Sequence, residues 1–430
     1  MPMDIAEIIR YAGGDPEKLQ DLDYRWEESE ATFPEDGLFF LREDVWRRAF
    51  EYCDVPKQLV GKVESLIDKV QKDKPLLHLL WNIYYRQKGP QRGAKKSMTG
   101  WPQPVSLGEE RQLFFLLPVF AIADAVIQQH QERSIPDQVT RDTLKKVGEQ
   151  MTYLCKRDYG YLGLSAEHIG WLAYYRDEPL VRLGRFEYWV RKDFYYKCYI
   201  YRNDKTKETV AFPPDGTRFT FQGETLEDNP PEKMPFWVSS YHDDGRIASG
   251  TPFSPRGYAV NRQVSLDLRE WRRIYAVDTD YYAQMHIPQG GNMTPQACRD
   301  SLAQVTSFFK KYYGMDIPLV HTTSWIFGSH LWQIMPENSN LLDFQRNLYC
   351  MPMGYNQPSV GLYFIFPSGR DFDVNTAVGD NSLRRGVISY LRSGGQWKGG
   401  AMCFVTEDIG EYGNAIYRKR WDAGLGGCIK

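Results

Sequence analysis

The fold of the second half of the chain follows from one stretch of sequence, Tyr281-Tyr-Ala-Gln-Met-His-Ile-Pro-Gln-Gly-Gly-Asn-Met-Thr-Pro-Gln-Ala-Cys-Arg-Asp-Ser301. Residues 281–287 are rich in aromatic and apolar side chains, over a length that suits a strand. Thr294 then suits a helix N-cap and Pro295 the first helical turn, and apolar residues recur at helical spacing as far as Phe309. The stretch therefore predicts a strand, a glycine loop and a helix, in that order.

The loop between them reads Gln289-Gly290-Gly291-Asn292. Two glycines permit positive φ angles and let a ligand approach the backbone N–H groups. The helix N-terminus adds unpaired N–H groups and the positive end of a dipole, so the three parts together form an anion-binding site. A tight turn without a ligand explains the same residues. The spacing alone favours this plain turn, because glycine turns outnumber phosphate sites.

Composition narrows the class of protein. The chain has 430 residues, of which 42% are hydrophobic and 25% charged, as in ordinary soluble proteins with two or three domains. Its net charge of −2 argues against a polyanionic partner, so nucleic acid is not expected. Its seven cysteines are scattered without a C-x-x-C pair, which is typical of a reduced protein rather than a disulfide scaffold.

The sequence also favours a soluble, cytoplasmic protein. Its N-terminus lacks a basic segment followed by an apolar run, so no signal peptide is predicted. The most apolar run, residues 113–127, is interrupted by Pro118 and Asp124 and falls short of the roughly 18 residues that a membrane span needs. We expect no membrane association.

Hydrophobic periodicity changes near residue 180. Helical patterns dominate before it, the longest at residues 109–131, where Pro118 should kink the helix or end its first part. Strand-like runs follow, the clearest of them at 186–191, 195–201, 317–325, 360–366 and 401–405. This order predicts an α+β protein with a helical domain over residues 1–180 and a mixed-sheet domain over residues 181–430.

Several longer stretches of sequence carry a family resemblance. They are Met285-His-Ile-Pro-Gln-Gly-Gly-Asn-Met-Thr-Pro295, Ser324-Trp-Ile-Phe327, Pro336-Glu-Asn-Ser-Asn-Leu-Leu-Asp-Phe-Gln-Arg-Asn347 and Leu383-Arg-Arg-Gly-Val-Ile-Ser-Tyr-Leu-Arg-Ser-Gly-Gly395. With these stretches, most of the chain from about residue 105 onward resembles bacterial GNAT-like acyltransferase-domain proteins. The family joins an N-acyltransferase N-terminal helical domain to a GNAT-like C-terminal domain.

The resemblance implies a mixed β-sheet flanked by helices, in which acyl-CoA lies between two strands that splay apart. The implied CoA-contacting residues are Ile287, Gln289, Gly290, Gly291, Asn292, Met293 and Thr294, with Ser324 near the acyl arm. GNAT enzymes usually carry Gln/Arg-x-x-Gly-x-Gly/Ala in this loop. Here the two glycines are adjacent and early, so the loop departs from the family pattern.

Acyl transfer to an amine needs a base for the amine and an acid for the departing thiolate. His286, near the end of the strand that feeds the loop, is the first candidate for the base, and His321 in the next strand is the second. Tyr349 is a candidate for the acid, because the superfamily uses a phenol in that role. Structural roles compete in each case: a histidine bonded to a carbonyl, a core histidine, and one tyrosine among 28.

Other chemistries find little support in the sequence. It has no H-E-x-x-H and no paired cysteines, so no catalytic metal is expected. It also has neither Gly-x-Ser-x-Gly nor a P-loop motif.

The sequence thus predicts direct transfer of an acyl group from acyl-CoA to an amine of a small molecule or peptide. Because the loop sequence departs from the usual GNAT pattern, two alternatives stay open: a non-catalytic GNAT-shaped protein that binds another ligand or partner, and acyl transfer from a carrier-protein thioester.

Overall fold

The computed structural model describes residues 4–88, 98–193, 196–226, 235–275, 279–353, 361–366 and 372–427. The chain forms two compact units, Met1–Leu183 and Gly184–Lys430. The first is helical and the second combines sheets with helices, so the predicted α+β class is confirmed.

The first unit contains helices α1 (Ile5–Tyr11), α2 (Trp26–Ala31), α3 (Glu43–Tyr52), α4 (Val60–Val70), α5 (Lys74–Arg86), α6 (Leu116–Glu132), α7 (Asp137–Leu144), α8 (Lys146–Glu149), α9 (Lys156–Tyr159), α10 (Glu167–Leu172) and α11 (Tyr174–Asp177), and it ends with strand β1 (Leu180–Leu183). Helix α6 is buried along almost its whole length and packs against α3, α5, α7 and α11. A helix that is apolar all round belongs in a core, so α6 is the centre of this unit.

The long helix predicted from residue 109 begins later, at Leu116. The preceding residues Val105–Leu113 form 3-10 turns, and Gly108 within them has φ 61° and ψ −134°, which no helix allows. Pro118 therefore lies in the first turn of α6, where its missing N–H group is not needed. Pro118 thus marks the start of α6 and does not kink a longer helix.

The combined stretch Val105–Glu132 is long and apolar enough to cross a membrane. However, 83% of its most apolar window is buried inside the protein. The core helix of a globular protein has the same composition, so this stretch is weak evidence for a membrane span.

The strands of the second unit are β2 (Phe186–Arg191), β3 (Tyr199–Asn203), β4 (Thr209–Phe212), β5 (Arg218–Phe219), β6 (Trp237–Val238), β7 (Tyr241–Asp243), β8 (Ile247–Gly250), β9 (Phe253–Ser254), β10 (Tyr258–Ala259), β11 (Val264–Asp267), β12 (Trp271–Arg273), β13 (Tyr282–His286), β14 (Leu319–Ser324), β15 (Tyr349–Pro352) and β16 (Gly400–Val405). Its helices are α12 (Pro295–Tyr313), α13 (Leu331–Ile334), α14 (Asn340–Arg346), α15 (Leu362–Ile365), α16 (Ser382–Arg392) and α17 (Ile416–Ala423).

The main sheet of this unit has the order β2-β13-β14-β16-β15. Strands β13 and β14 are parallel, and the other neighbours in this order are antiparallel. A second sheet has the order β10-β9-β4-β3-β12. The parallel pair is joined through α12, as parallel neighbours require a crossover connection.

Helix α12 covers one face of the main sheet. Its Ser301 side chain accepts a hydrogen bond from the Phe186 backbone N–H at 3.1 Å and lies 3.0 Å from the Tyr188 hydroxyl. Around this contact α12 buries the side chains of Cys298, Leu302, Val305, Phe308 and Phe309. The spacing of these residues is the helical period that the sequence showed.

The strand predicted over residues 360–366 is wrong. Residue 360 lies outside the described residues, and Leu362–Ile365 is the short helix α15, which begins after Gly361 at φ 84°. Leu362, Ile365 and Phe366 pack into an apolar cluster with Leu331 and neighbouring residues. A short apolar run fits a buried helical turn as well as a strand, and periodicity cannot separate the two.

Candidate functional site

Pairing between the two parallel strands β13 and β14 stops before their carboxyl ends. Pairing between β13 and β14 joins only Ala283 with Val320 and Gln284 with His321. Beyond that point β13 continues to His286 along β2, and β14 continues to Ser324 along β16. Each strand thus follows its other neighbour, and the two carboxyl ends are not paired with each other. We call the region between these unpaired ends the gap.

The gap lies beside the glycine loop. Gly290 and Gly291 have φ angles of 74° and 70°, the left-handed region that glycine adopts without strain. A Cβ atom at Gly290 would meet nothing within 4 Å, so the loop is open on that side. The predicted turn chemistry is confirmed, and both glycines are exposed.

Arg185 lies beside this loop. Its Nη1 atom donates a hydrogen bond of 2.9 Å to the Pro288 carbonyl oxygen. A Cβ atom at Gly291 would stand 3.7 Å from its Nε. A guanidinium group next to an open glycine loop adds a full positive charge to a backbone suited to anions.

The helix that follows the loop starts as predicted. Thr294 is the N-cap of α12, where its side chain accepts a hydrogen bond of 3.3 Å from the Ala297 N–H, and Pro295 is the first helical residue. With 19 residues, α12 directs the positive end of a long helix dipole at the loop. The remaining loop residues differ in exposure: Asn292 is exposed, and Ile287, Gln289 and Met293 are half-buried.

His286 is the last residue of β13 and is half-buried. In the antiparallel pairing with β2 it lies directly opposite Glu187. Its ring centroid is 6.3 Å from that of Trp189, the next residue on the same face of β2. His286 therefore borders the gap and carries a titratable ring there.

His321 lies on the same face of the sheet, one strand further along, where it pairs with Gln284 and Cys403. It is buried, and its Nδ1 donates a hydrogen bond of 2.7 Å to the Met402 carbonyl oxygen. Burial lowers the pKa of His321 to about 3, because the protonated ring would lack the solvating water that stabilises its charge. The ring is neutral at pH 7.

Tyr349 lies in β15 on the same face, opposite Cys403. It is buried, and its hydroxyl donates to the Phe253 carbonyl oxygen at 2.5 Å and accepts from the Ala211 N–H at 3.2 Å. Burial raises the pKa of this phenol well above its usual value. The second sheet, to which Phe253 and Ala211 belong, thus covers this end of the face.

Ser324 ends β14 and is half-buried. Its side chain accepts a hydrogen bond of 3.4 Å from the Ile326 N–H and caps the 3-10 turn Trp325–Phe327. It therefore fixes the direction in which the chain leaves the strand on the far side of the gap.

The structure brings His286, the glycine loop and the N-terminus of α12 together along one chain segment, with Ser324 at the end of the facing strand. His321 and Tyr349 share the sheet face but lie in its interior. Sequence reasoning missed Arg185 and Glu187, because their placement depends on which strand pairs with β13. The only signal was the strand-like run that follows Gly184.

Among the described residues, no group of three or more histidine, cysteine, aspartate or glutamate side chains is placed to hold a metal ion. The absence of a metal cofactor stays a prediction.

Comparison with solved structures gives similar folds. An acyltransferase in complex with decanoyl-CoA and teicoplanin is 18% identical, with a TM-score of 0.61 over 94% of this chain and 100% of that one. An acyltransferase in complex with CoA and 10C-teicoplanin is 19% identical, with a TM-score of 0.60 and the same coverage. An acyltransferase mutant bound to octanoyl-CoA is 18% identical, with a TM-score of 0.60 over 94% of this chain and 99% of that one. At this level of identity the likeness concerns the fold.

Family comparison is more specific. No protein with curated function matches the sequence. The model of the N-acyltransferase N-terminal domain matches residues 46–175, and that of the GNAT-like C-terminal domain matches residues 180–403. These matches confirm the resemblance seen in the sequence. The chain belongs to the family that joins an N-acyltransferase N-terminal domain to a GNAT-like C-terminal domain.

Proposed function

We propose that this protein transfers an acyl group from acyl-CoA to an amine by direct attack. The observation that carries the proposal is the early end of pairing between β13 and β14, beside the glycine loop. Backbone N–H and C=O groups that border the gap are not used for pairing between these two strands. An extended arm that carries amides, such as the pantetheine of CoA, finds matching donors and acceptors there.

Three features support a pyrophosphate site at the loop. Gly290 and Gly291 expose backbone in the left-handed region, α12 directs its dipole at the loop, and Arg185 adds a guanidinium beside it. Each favours negative charge. The adjacent glycines depart from the usual GNAT pattern, but their conformation leaves the loop open on the side of Gly290.

The reaction requires one proton transfer from the acceptor. The amine nitrogen attacks the thioester carbon, a C–N bond forms, the C–S bond breaks and CoA leaves as the thiolate. We assign His286 as the base that takes the proton from the amine, directly or through a water molecule. Of the three candidates, His321 and Tyr349 are buried and hydrogen-bonded to backbone, whereas His286 is partly exposed beside the gap. Solvent protonates the leaving thiolate.

The acceptor is proposed only by class. An amine on a small molecule or a peptide fits the chemistry, and similar solved structures that contain teicoplanin make glycopeptide amines a sensible part of a screen. The six described cysteines are free and buried, which suits the reducing cytoplasm that we propose as its location.

The first test is calorimetric titration of the purified protein with acetyl-CoA and decanoyl-CoA. Gly290→Ala and Gly291→Ala place a side chain at positive φ, which costs about 1–2 kcal/mol of stability each and blocks close approach of phosphate. Gly314→Ala is a matched control, because Gly314 has φ 68° at the other end of α12 and open space around it. We expect binding that Gly290→Ala and Gly291→Ala weaken and Gly314→Ala leaves unchanged.

Two results would contradict the proposal. Equal weakening by all three variants would mean that strain in α12, rather than the loop, affects binding. If neither acyl-CoA binds, the same titration with an acylated carrier protein separates the two alternatives: binding would favour a carrier-protein thioester as donor, and no binding would favour a non-catalytic protein.

A further inference from the structure

A buried carboxylate lies beside the proposed base. Glu187 is in the interior of β2, with no measurable exposure, and the register of the sheet sets it directly opposite His286. Opposite residues of an antiparallel pair point to the same face, with Cβ atoms about 4.5–5.5 Å apart. The Glu187 carboxyl group and the His286 ring therefore share one side of the sheet at the edge of the gap.

Burying a carboxylate is unfavourable unless its surroundings compensate. A glutamine or an apolar residue in the middle of a strand would avoid this cost and keep the fold. Perturbed or buried ionisable groups are concentrated at functional sites. The position of Glu187 opposite the half-buried His286 is therefore informative.

We infer that Glu187 is the positioning residue for His286: its carboxylate holds the ring in one orientation and stabilises the imidazolium formed when the amine gives up its proton. The inference rests on the proposed function for the identity of the base. The proton released by the amine nitrogen passes to His286 and from there to solvent. Glu187 takes no proton and forms no covalent bond.

Other charged and titratable groups near this pair are few on the described strands. Arg191 lies four residues further along β2, with its guanidinium 3.3 Å from Gln284 and in an ion pair with Asp193. Arg185 precedes β2 and bonds the loop. His321, on β14, is kept neutral by burial. Glu187 is thus the anionic group that the register brings opposite the ring.

The test measures the ring itself and needs no acceptor. Protein labelled with ¹³C at histidine ring carbons is titrated by NMR, and the His286 signal is identified by its loss in His286→Gln. Glu187→Gln keeps size and shape while removing the charge. Removing an anion next to a ring favours the neutral form, so we expect the pKa of His286 to fall by about 1 unit in Glu187→Gln.

Tyr188→Phe is the matched control. Tyr188 is the neighbouring residue of β2, is equally buried, and loses its contact with Ser301 on the opposite face of the sheet. We expect it to leave the pKa of His286 unchanged. Glu187→Asp, which keeps the charge, should shift the pKa less than Glu187→Gln and serves as the second variant if Glu187→Gln does not fold.

Turnover gives the second readout. We expect kcat to fall roughly 10²-fold in Glu187→Gln, with KM for acyl-CoA unchanged, and no further loss when the change is added to His286→Gln. An unchanged pKa of His286, or additive losses in the double variant, would overturn the positioning role. If the unmodified protein binds no acyl-CoA in the calorimetric test, the proposed function is contradicted. The NMR titration would still decide whether Glu187 raises the pKa of His286.

Discussion

His286 and His321 lie on one face of the same sheet, in neighbouring strands, yet their surroundings differ. His286 ends β13 beyond the last residue of this strand that pairs with β14, and it is partly exposed. His321 lies where the strands are still paired, donates to the Met402 carbonyl oxygen and has its pKa lowered to about 3 by burial. A ring that stays neutral over the working pH range and bonds to backbone stabilises the fold and exchanges no protons with a substrate.

The difference teaches that sheet topology, more than residue type, decides which histidine can be proposed as the base. At the end of this face where Tyr349 lies, which we call the closed end, the second sheet covers the face. There the Tyr349 hydroxyl joins β15 to β4 and β9 by hydrogen bonds. At the other end, which we call the open end, pairing between β13 and β14 has stopped. The His286 ring, the glycine loop and the N-terminus of α12 lie there beside the gap. Both ends carry titratable groups, but it is at the open end that pairing between β13 and β14 stops.

The largest expected effect is at the open end. His286→Ala removes the proposed base, and positioned general bases contribute roughly 10²–10⁴-fold to rate. We expect kcat to fall by that factor while acyl-CoA binding, measured by calorimetry, stays unchanged. Turnover is followed as CoA thiol release with a thiol-reactive dye and a panel of amines, and burial of the six described cysteines keeps their background low.

Full turnover in His286→Ala would contradict the proposed contrast between His286 as the base and His321 as a structural residue. In that case the base is a solvent water or another group, and the gap retains its binding role alone. His321→Gln provides the contrast in the same assay, because it should change stability and leave kcat close to that of the unmodified protein.

The next effect concerns the pH dependence of stability at the closed end. The folded-state pKa of His321 is about 3, against about 6.5 in the unfolded chain, so the unfolded state binds the additional proton between these values. Stability is therefore lost as the pH falls from about 6.5 towards about 3, by an amount on the order of a few kcal/mol. Burial lowers the pKa of His130 and His330 to about 4, and both add to the same trend.

Urea unfolding at a series of pH values measures this loss. His321→Gln removes the titrating ring and keeps an N–H donor for the Met402 carbonyl, so its stability should decline less steeply between pH 6.5 and 4 than that of the unmodified protein. An unaltered slope in His321→Gln would show that the ring titrates freely and that the two histidines differ less than their burial indicates.

A smaller effect is expected for Tyr349. Tyr349→Phe leaves the buried Phe253 carbonyl and the Ala211 N–H without their bridge, which costs about 1–3 kcal/mol of stability. Chemical denaturation measures this cost. If the phenol instead protonates the leaving thiolate, kcat falls in Tyr349→Phe at a temperature where the variant is fully folded, and the closed end would then take part in catalysis.

Much of the open end could be predicted from local sequence. The strand before the loop, the two glycines at positive φ, the Thr294 cap and Pro295 at the first helical position all follow from short-range rules. Each depends on a few neighbouring residues, and each is present in the structure.

What sequence could not supply was the pairing between distant strands. Glu187 and His286 are about 100 residues apart in the chain, and only the register of β2 against β13 sets them opposite each other. The same holds for Tyr349, whose burial depends on the second sheet. The error at residues 360–366 is of another kind, because an apolar run of that length fits either a strand or a buried helical turn.

Arg185 gives the smallest effect and the sharpest probe of the loop. Arg185→Gln removes a guanidinium beside Gly291, and one charge-assisted hydrogen bond to phosphate corresponds to about a tenfold rise in the Kd of acyl-CoA. Lys311→Gln, near the far end of α12, removes an exposed positive charge away from the loop and should leave Kd unchanged. Arg185 also donates a hydrogen bond to the Pro288 carbonyl oxygen, so it could act by attracting phosphate or by holding the loop in place. Calorimetry at two salt concentrations distinguishes these two roles. If Arg185 acts by its charge, added salt weakens binding to the unmodified protein more than to Arg185→Gln, and Arg185→Lys recovers part of the affinity. If it acts only as a support, salt weakens both equally and lysine recovers nothing, which would move the phosphates away from this side of the loop.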